Sequence, residues 1–370
     1  MKKTRNSNIE SIRLLAMLFI TMHHFALWGV MSAMHVPTAS INTFFAQIFE
    51  MFGKVGVFIF IIITGYYSKP GKLSFRKVFA LSNTVRLFTI GALLVVGIFG
   101  IERWDWTLVV RSVFPIVGQM YWFITAYAIL TLASGYIVAF VNTLDRNRFQ
   151  EIILLSVVLF SVIPTFFFGW KSTVSDLIPG FLIGIYLKNR NGNNPKTSYL
   201  KVTLYVGILI MIVLLGIIDY LGMHFNSLPI IKAANYFMIS SGSPFALLFA
   251  SLIFMLTNNR DDSNNKVINK LASASLSVYL IQEFPPLRHF IWFDLFRVSR
   301  NAMLDSPVHF ILYSIATVLL VFTGALLFGL GLNSAASRPM NFLLNVEMKI
   351  FEWVRLKIKI LIKKINSLYH

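Results

Sequence analysis

Long apolar stretches separated by short polar joints run almost the whole length of the chain. A bilayer-spanning helix needs about 20 predominantly apolar residues. On that measure the pattern predicts ten membrane helices, at roughly 12–30, 46–67, 77–100, 119–141, 151–169, 173–188, 200–221, 236–257, 271–293 and 308–332. Segment 173–188 is short and carries Pro179 and Gly180 inside it. Pro164 and Pro244 also fall within spans, where neighbouring helices can satisfy the backbone groups a proline frees. The predicted fold is an all-α polytopic bundle over residues 1–335, followed by a basic tail over 336–370. In the tail, Phe351, Val354, Ile358, Leu361 and Ile365 share one helical stripe opposite Lys349, Arg355, Lys357, Lys359, Lys363 and Lys364, with Leu356 and Ile360 off the pattern. That suits a helix lying on the inner leaflet; the alternative is a solvated basic tail. No internal repeat, low-complexity segment or separate soluble domain is evident.

Composition agrees. The chain is 56% hydrophobic and 13% charged, about half the charged fraction of a soluble domain. It holds no cysteine, which excludes disulfides, thiolate catalysis and cysteine metal sites. The first apolar run lacks a small-residue cleavage site and is expected to be retained. Lys and Arg obey the positive-inside rule. With a cytoplasmic N-terminus, 24 of the 33 fall in inside segments and 7 in outside ones, while Lys54 and Arg86 lie within spans. Both termini are therefore expected in the cytoplasm. The formal charge of +18 is assigned to topology and anionic lipid headgroups rather than to nucleic acid. Arg288, Arg297 and Arg300 make a basic cluster on the outer side and suggest an anionic partner there.

The first segment carries the strongest chemical signal. Arg13 and His24 are eleven residues apart, about three helical turns plus roughly 20°, so both point off one face with a rise of about 16 Å between them. Ionisable groups within a membrane are costly and mark functional paths. An imidazole ordinarily titrates near neutrality, so His24 suits a general base; its neighbour His23 points about 100° away. A bundle histidine that merely hydrogen-bonds is the bland alternative, as is a topology signal for Arg13. Arg86, well inside the third span, needs a partner. Arg76 and Arg86 would suit the phosphates of a cytoplasmic ligand. In the second segment, Gly53, Gly56 and Gly65 permit close helix approach, Thr64 and Tyr66 add polar handles, and Glu50 and Lys54 are spaced for an i, i+4 structural pair. Tyr121, Trp122 and Tyr127 lie where an interfacial aromatic belt is expected; stacking on a sugar is the other reading. Glu283 is placed either to pair with Arg288 or to line an outer cavity. The chain has no nucleotide-binding glycine loop, HExxH zinc motif or GxSxG elbow, and its histidines are too scattered for a metal site.

Arg13 and His24 in SIRLLAMLFITMHHF, followed by GVFIFIIITGYY, YWFITAYAILTLASGYI and SLSVYLIQE, together resemble acyltransferase family 3. These are integral-membrane O-acyltransferases of cell-surface and secreted glycans, and the third motif is similar to the branch found with Gram-positive surface polysaccharides. The resemblance covers most of the chain. It departs from the family pattern at Phe58, where Asp or Asn is frequent, at Thr64, where Ser is frequent, and at Gln282, where His is usual. No catalytic role is therefore rested on position 282. The resemblance implies about ten helices and transfer of an acetyl or other acyl group from cytoplasmic acyl-CoA, a co-substrate rather than a bound cofactor. The implied acceptor is a hydroxyl of a surface polysaccharide or glycolipid, in a bacterial cytoplasmic membrane. It also implies that Arg13, Arg76 and Arg86 meet the coenzyme A phosphates, and that His24 acts as base or transient acyl carrier. Trp122, Tyr127 and Glu283 would lie on the acceptor side. A transporter or flippase of a lipid-linked sugar is the competing reading, and an inactive scaffold or sensor the third.

Overall fold

The computed structural model describes residues 5–35, 40–167, 173–190 and 195–366, with side chains described to residue 362. Lys2, Lys3, Lys171 and His370 lie outside the described residues, as do the side chains of Lys363, Lys364 and Ile365. The described residues form helices and turns, with no strand among them.

In chain order the helices are α1 (Ser7–His24), α2 (Ile41–Tyr67), α3 (Phe75–Ile98), α4 (Trp106–Val113), α5 (Trp122–Val141) and α6 (Arg146–Val157), with α7 (Ile163–Phe166) following a π-helical turn. Then come α8 (Ile178–Asn189), α9 (Thr197–His224), α10 (Leu228–Lys232), α11 (Tyr236–Ile239) and α12 (Pro244–Asn258). The last are α13 (Lys266–Ala272), α14 (Ser275–Gln282), α15 (Pro285–His289), α16 (Val298–Leu304) and α17 (Pro307–Asn366). Among the described residues, seven helical stretches are long and apolar enough to cross a membrane: 7–33, 41–67, 75–98, 122–141, 146–166, 197–224 and 307–362. The chain is a helical membrane bundle.

Three predicted spans are not single long helices. Segment 173–188 becomes a 3-10 turn and the 12-residue α8, with Pro179 in its first turn; at 1.5 Å per residue α8 is about 18 Å long, too short to cross alone. Segment 236–257 breaks before Pro244, where the Ser243 hydroxyl accepts from the Ala246 amide and starts α12 afresh. Segment 271–293 divides at Ser273–Ala274 and again before Pro285, then runs into a π-helical turn over Phe290–Leu295. The cause is common to the proline breaks: a proline suits the first turn of a helix and disrupts an interior.

The tail differs as well. No break separates the last span from it, because α17 runs unbroken for 60 residues through Pro339. Of the expected tail stripe, Phe351 packs on Phe75 (ring centroids 4.4 Å apart) and Phe79 of α3. Val354, Ile358 and Leu361 are exposed.

The centre of the bundle is the seam between α1 and α2 and the face of α2 that meets α8. Here the small residues matter. A side chain at Gly53 would overlap the His23 ring, and one at Gly65 would strike the Phe181 carbonyl and Gly184 of α8. Gln47, Glu50, Asn235 and Asp219 form a buried polar chain on the other side of α2. In it Gln47 donates to Asp219 (3.1 Å), and Asn235 donates to Glu50 (2.8 Å).

Candidate active site

The N-terminus of α1 is tied down before any chemistry begins. Asn6 caps the helix at the Asn8 amide (2.9 Å), Ser7 donates to Asn269 (3.0 Å), and Asn8 donates to the Asp261 carbonyl (2.7 Å). These bonds set the start of α1 beside α13, and α14 follows α13 along α1. Further along, Gln282 donates to Thr21 (3.2 Å) and Tyr121 donates to the Leu280 carbonyl (2.8 Å), holding α14 against α1 and α5.

A cavity of about 660 Å³ follows α1. Its wall runs from Arg5 and Arg13 near the helix start, past Thr64 and Tyr127, to His23, His24, Lys54 and Trp122, and on to Trp28, Glu283 and Arg288. Arg5 to Trp28 covers about 30 Å of helix axis, the thickness of a hydrocarbon core. The polar groups along it are few and specific. His24 is buried, with Nε2 3.4 Å from Glu283 Oε2. Glu283 is in turn held by the Trp28 indole N–H (3.1 Å) and by Arg288 (3.2 Å), whose guanidinium lies 3.9 Å over the Trp28 ring. Glu283 thus both pairs with Arg288 and lines the cavity. At the other end Arg13 leans toward Glu10, 3.7 Å away.

The family model described as "Acyltransferase domain", that of acyltransferase family 3, matches residues 6–326. The chain belongs to acyltransferase family 3. No curated protein and no solved structure matches it. The matched region begins beside the α1 cap and ends within α17, and all of the cavity wall but Arg5 lies inside the family 3 domain.

Within this membrane acyltransferase, Arg13, His24, Trp122, Tyr127 and Glu283 share one cavity. Tyr127 lies beside Thr64, whose hydroxyl donates to it at 3.4 Å. Arg76 and Arg86 do not join them. Arg86 is already engaged: it donates to Glu347 (2.9 Å), Asn83 (2.9 Å) and the Val113 carbonyl (2.9 Å). Arg76 donates to Asn345 (3.3 Å) in a separate groove between α3 and α17. The partner that Arg86 requires comes from the tail, 261 residues away, a distance at which no local periodicity carries information.

Glu347→Ala would leave Arg86 without its carboxylate. A part-buried charge so stranded costs about 1–3 kcal/mol, seen as a Tm several degrees lower in detergent-solubilised protein. The double change Arg86→Met with Glu347→Met should recover most of it; an unchanged Tm in Glu347→Ala would show that the pair is ornamental.

Several cavity residues lie beyond the expected set. Arg5 extends the basic end past Arg13. His23 lines the same cavity as His24 despite pointing about 100° away, because the cavity wraps the helix and their rings sit 5.6 Å apart. The Glu50 carbonyl accepts from His23 Nδ1 at 2.8 Å, which fixes the tautomer and leaves Nε2 as the lone-pair nitrogen of the neutral ring. Glu50 and Lys54 do not pair: Glu50 takes its bond from Asn235, and the Lys54 ammonium sits 4.4 Å over the Trp122 ring. Tyr279 packs beside His24 with centroids 5.9 Å apart. The double histidine is the one local signal in the sequence that could bring His23 forward.

Proposed function

We propose that the chain is an O-acyltransferase that moves an acetyl or similar acyl group from cytoplasmic acyl-CoA to a hydroxyl of a surface polysaccharide or glycolipid. The observation that carries this reading is the cavity itself. It is long enough to meet both faces of a membrane, basic at one end, and furnished with an imidazole in its wall.

The lysine and arginine distribution favours placing both termini in the cytoplasm of a bacterial cell, so that the Arg5–Arg13 end faces the donor. Guanidinium matches phosphate geometry, and the apolar stretch by Met17, Ile20 and Val57 suits the thin pantetheine arm that follows the phosphates. The thioester then reaches the level of His24, while the sugar hydroxyl approaches from the Trp28, Glu283 and Arg288 end, with Trp122 and Tyr127 lining the way. In direct transfer the hydroxyl oxygen bonds to the thioester carbonyl carbon, the carbon–sulfur bond breaks, and the hydroxyl proton travels through the His24 imidazole to the departing thiolate. In the two-step form the acyl group rests first on the imidazole nitrogen and then passes to the hydroxyl. Glu283 stabilises the imidazolium that direct transfer creates. Both forms balance without any redox partner. Arg76 and Arg86, expected to join in donor binding, lie outside this cavity and bond to Asn345 and Glu347.

The test is the base-labile acyl content of purified surface glycans, read by NMR and mass spectrometry in cells with and without the chain. Acyl groups that disappear on deletion and return with the wild-type copy support the reading and identify the acceptor. Unchanged acylation, with undecorated glycan accumulating inside the deleted cell, would overturn it in favour of transport.

A further inference from the structure

The cavity holds one cation for which donor binding and proton transfer give no task. Lys54 lies in the middle of α2, one turn beyond Glu50, on the wall shared with His23, His24 and Trp122. A charge at membrane depth is costly and is normally paired. This one is not. Among the described residues no carboxylate lies within ion-pair distance and no oxygen takes a hydrogen bond from it; Asp176 acts on it from further away. Its single close partner is the face of the Trp122 indole, 4.4 Å from ring centroid to nitrogen. An ammonium carries three donors. The ring face occupies one direction, leaving donors for a group that enters the cavity.

We propose that Lys54 is a catalytic residue that donates to the thioester carbonyl oxygen during acyl transfer; this rests on the acyltransferase reading above. As the acceptor oxygen bonds to the carbonyl carbon, the carbonyl π pair moves onto its oxygen, and the ammonium meets the charge that forms there. As the carbon–sulfur bond breaks, that pair re-forms the carbonyl, the sulfur leaves with the bonding electrons, and it takes its proton from His24. Lys54 keeps its own proton throughout. Three features suit the role. The ammonium lines the same cavity as the two imidazoles. It is fixed by a rigid aromatic rather than by a carboxylate that would neutralise it. Its position is set by the mid-helix backbone of α2, where Gly53 lets the His23 ring lie against the helix. Donors held ready in a water-poor site are the largest single contribution in many acyl-transfer enzymes.

The absence of cysteine from the chain permits a clean chemical test. Lys54→Cys is made in the full chain and treated with 2-bromoethylamine, which rebuilds a lysine-like ammonium, or with 2-bromoethanol, which builds a neutral side chain of the same length. Wild type and His24→Ala receive the same treatments, and mass spectrometry of the purified chain gives the extent of modification. Transfer from radiolabelled acetyl-CoA to the native acceptors is measured in membrane vesicles from the producing cell. Lys54→Cys should lower kcat about 100-fold with the KM for acetyl-CoA little changed. Aminoethylation should restore about tenfold or more, and hydroxyethylation nothing. A lysine that only fills space beside Trp122 would be served equally by both. Lys54→Cys at near wild-type rate, or equal recovery with the neutral reagent, would overturn the proposal while leaving the acyltransferase reading intact. Wild-type vesicles no more active than His24→Ala vesicles would instead remove that reading, and this inference with it.

Discussion

His24→Ala is expected to reduce surface acylation to the level of a strain lacking the chain, a fall of about 10³-fold or more in transfer rate. Removal of a general base alone accounts for about 10²–10⁴-fold, and if His24 also carries the acyl group the loss is complete. The side chain is buried against Glu283, Tyr279 and Gln282, so its truncation opens a small void but strands no ion pair, because Glu283 keeps Arg288 and Trp28. Membrane levels should therefore match wild type. His24→Gln, which retains hydrogen-bonding capacity but does not accept a proton at neutral pH, should be equally inactive. His23→Ala is the informative companion. Since His23 lines the same cavity with a defined tautomer, it should lower the rate by about tenfold without abolishing it. Acyl content per unit of membrane protein measures all three. More than a tenth of wild-type activity in His24→Ala would remove the histidine from the mechanism.

The largest effect on folding is expected at Gly65. Here α2 and α8 touch backbone to backbone: a Cβ at Gly65 would meet the Phe181 carbonyl, and one at Gly184 would meet the Ile62 carbonyl. A flexible side chain can swing aside, but two helix backbones cannot, so the helices must separate. Overpacking of a tight seam costs about 1–3 kcal/mol or more, and small residues that let backbones approach are a main source of helix association in membranes. Gly65→Leu should leave little monodisperse protein in fluorescence-detected size-exclusion chromatography. Gly91→Leu, on α3, should behave as wild type, because a Cβ there meets open space. Equal profiles for the two would mean that the α2–α8 seam is not a determinant of folding.

Much of this protein is legible from one dimension. The long apolar runs make a helical membrane bundle unavoidable, since only helices satisfy their own backbone in lipid over such lengths. The eleven-residue interval between Arg13 and His24 places both on one face, and that face lines the cavity. Glu283 and Arg288, five residues apart, are close enough to anticipate as a pair, and they are one.

Other features escape for reasons that can be named. Hydropathy counts apolar residues but does not weigh where a helix stops, so Pro179, Pro244 and Pro285 turn predicted spans into short helices. Glu50 and Lys54 have helical spacing for a pair, yet Asn235 and Trp122 offer each a better partner from elsewhere in the chain. Arg86 signals a need for a partner without naming Glu347. His23 falls off the Arg13 face by phase, but phase decides the direction of a side chain and not how far a cavity extends around the helix.

By itself, then, the sequence determined what depends on spacing within one segment: membrane helices, the Arg13–His24 face, and the absence of cysteine chemistry. The tertiary structure decided which charges meet. Electrostatic and hydrogen-bond partners are chosen by distance in space, and in a bundle that distance is set by the packing of helices far apart along the chain. Hence Arg86 was given to the tail, and Lys54 was left facing the cavity.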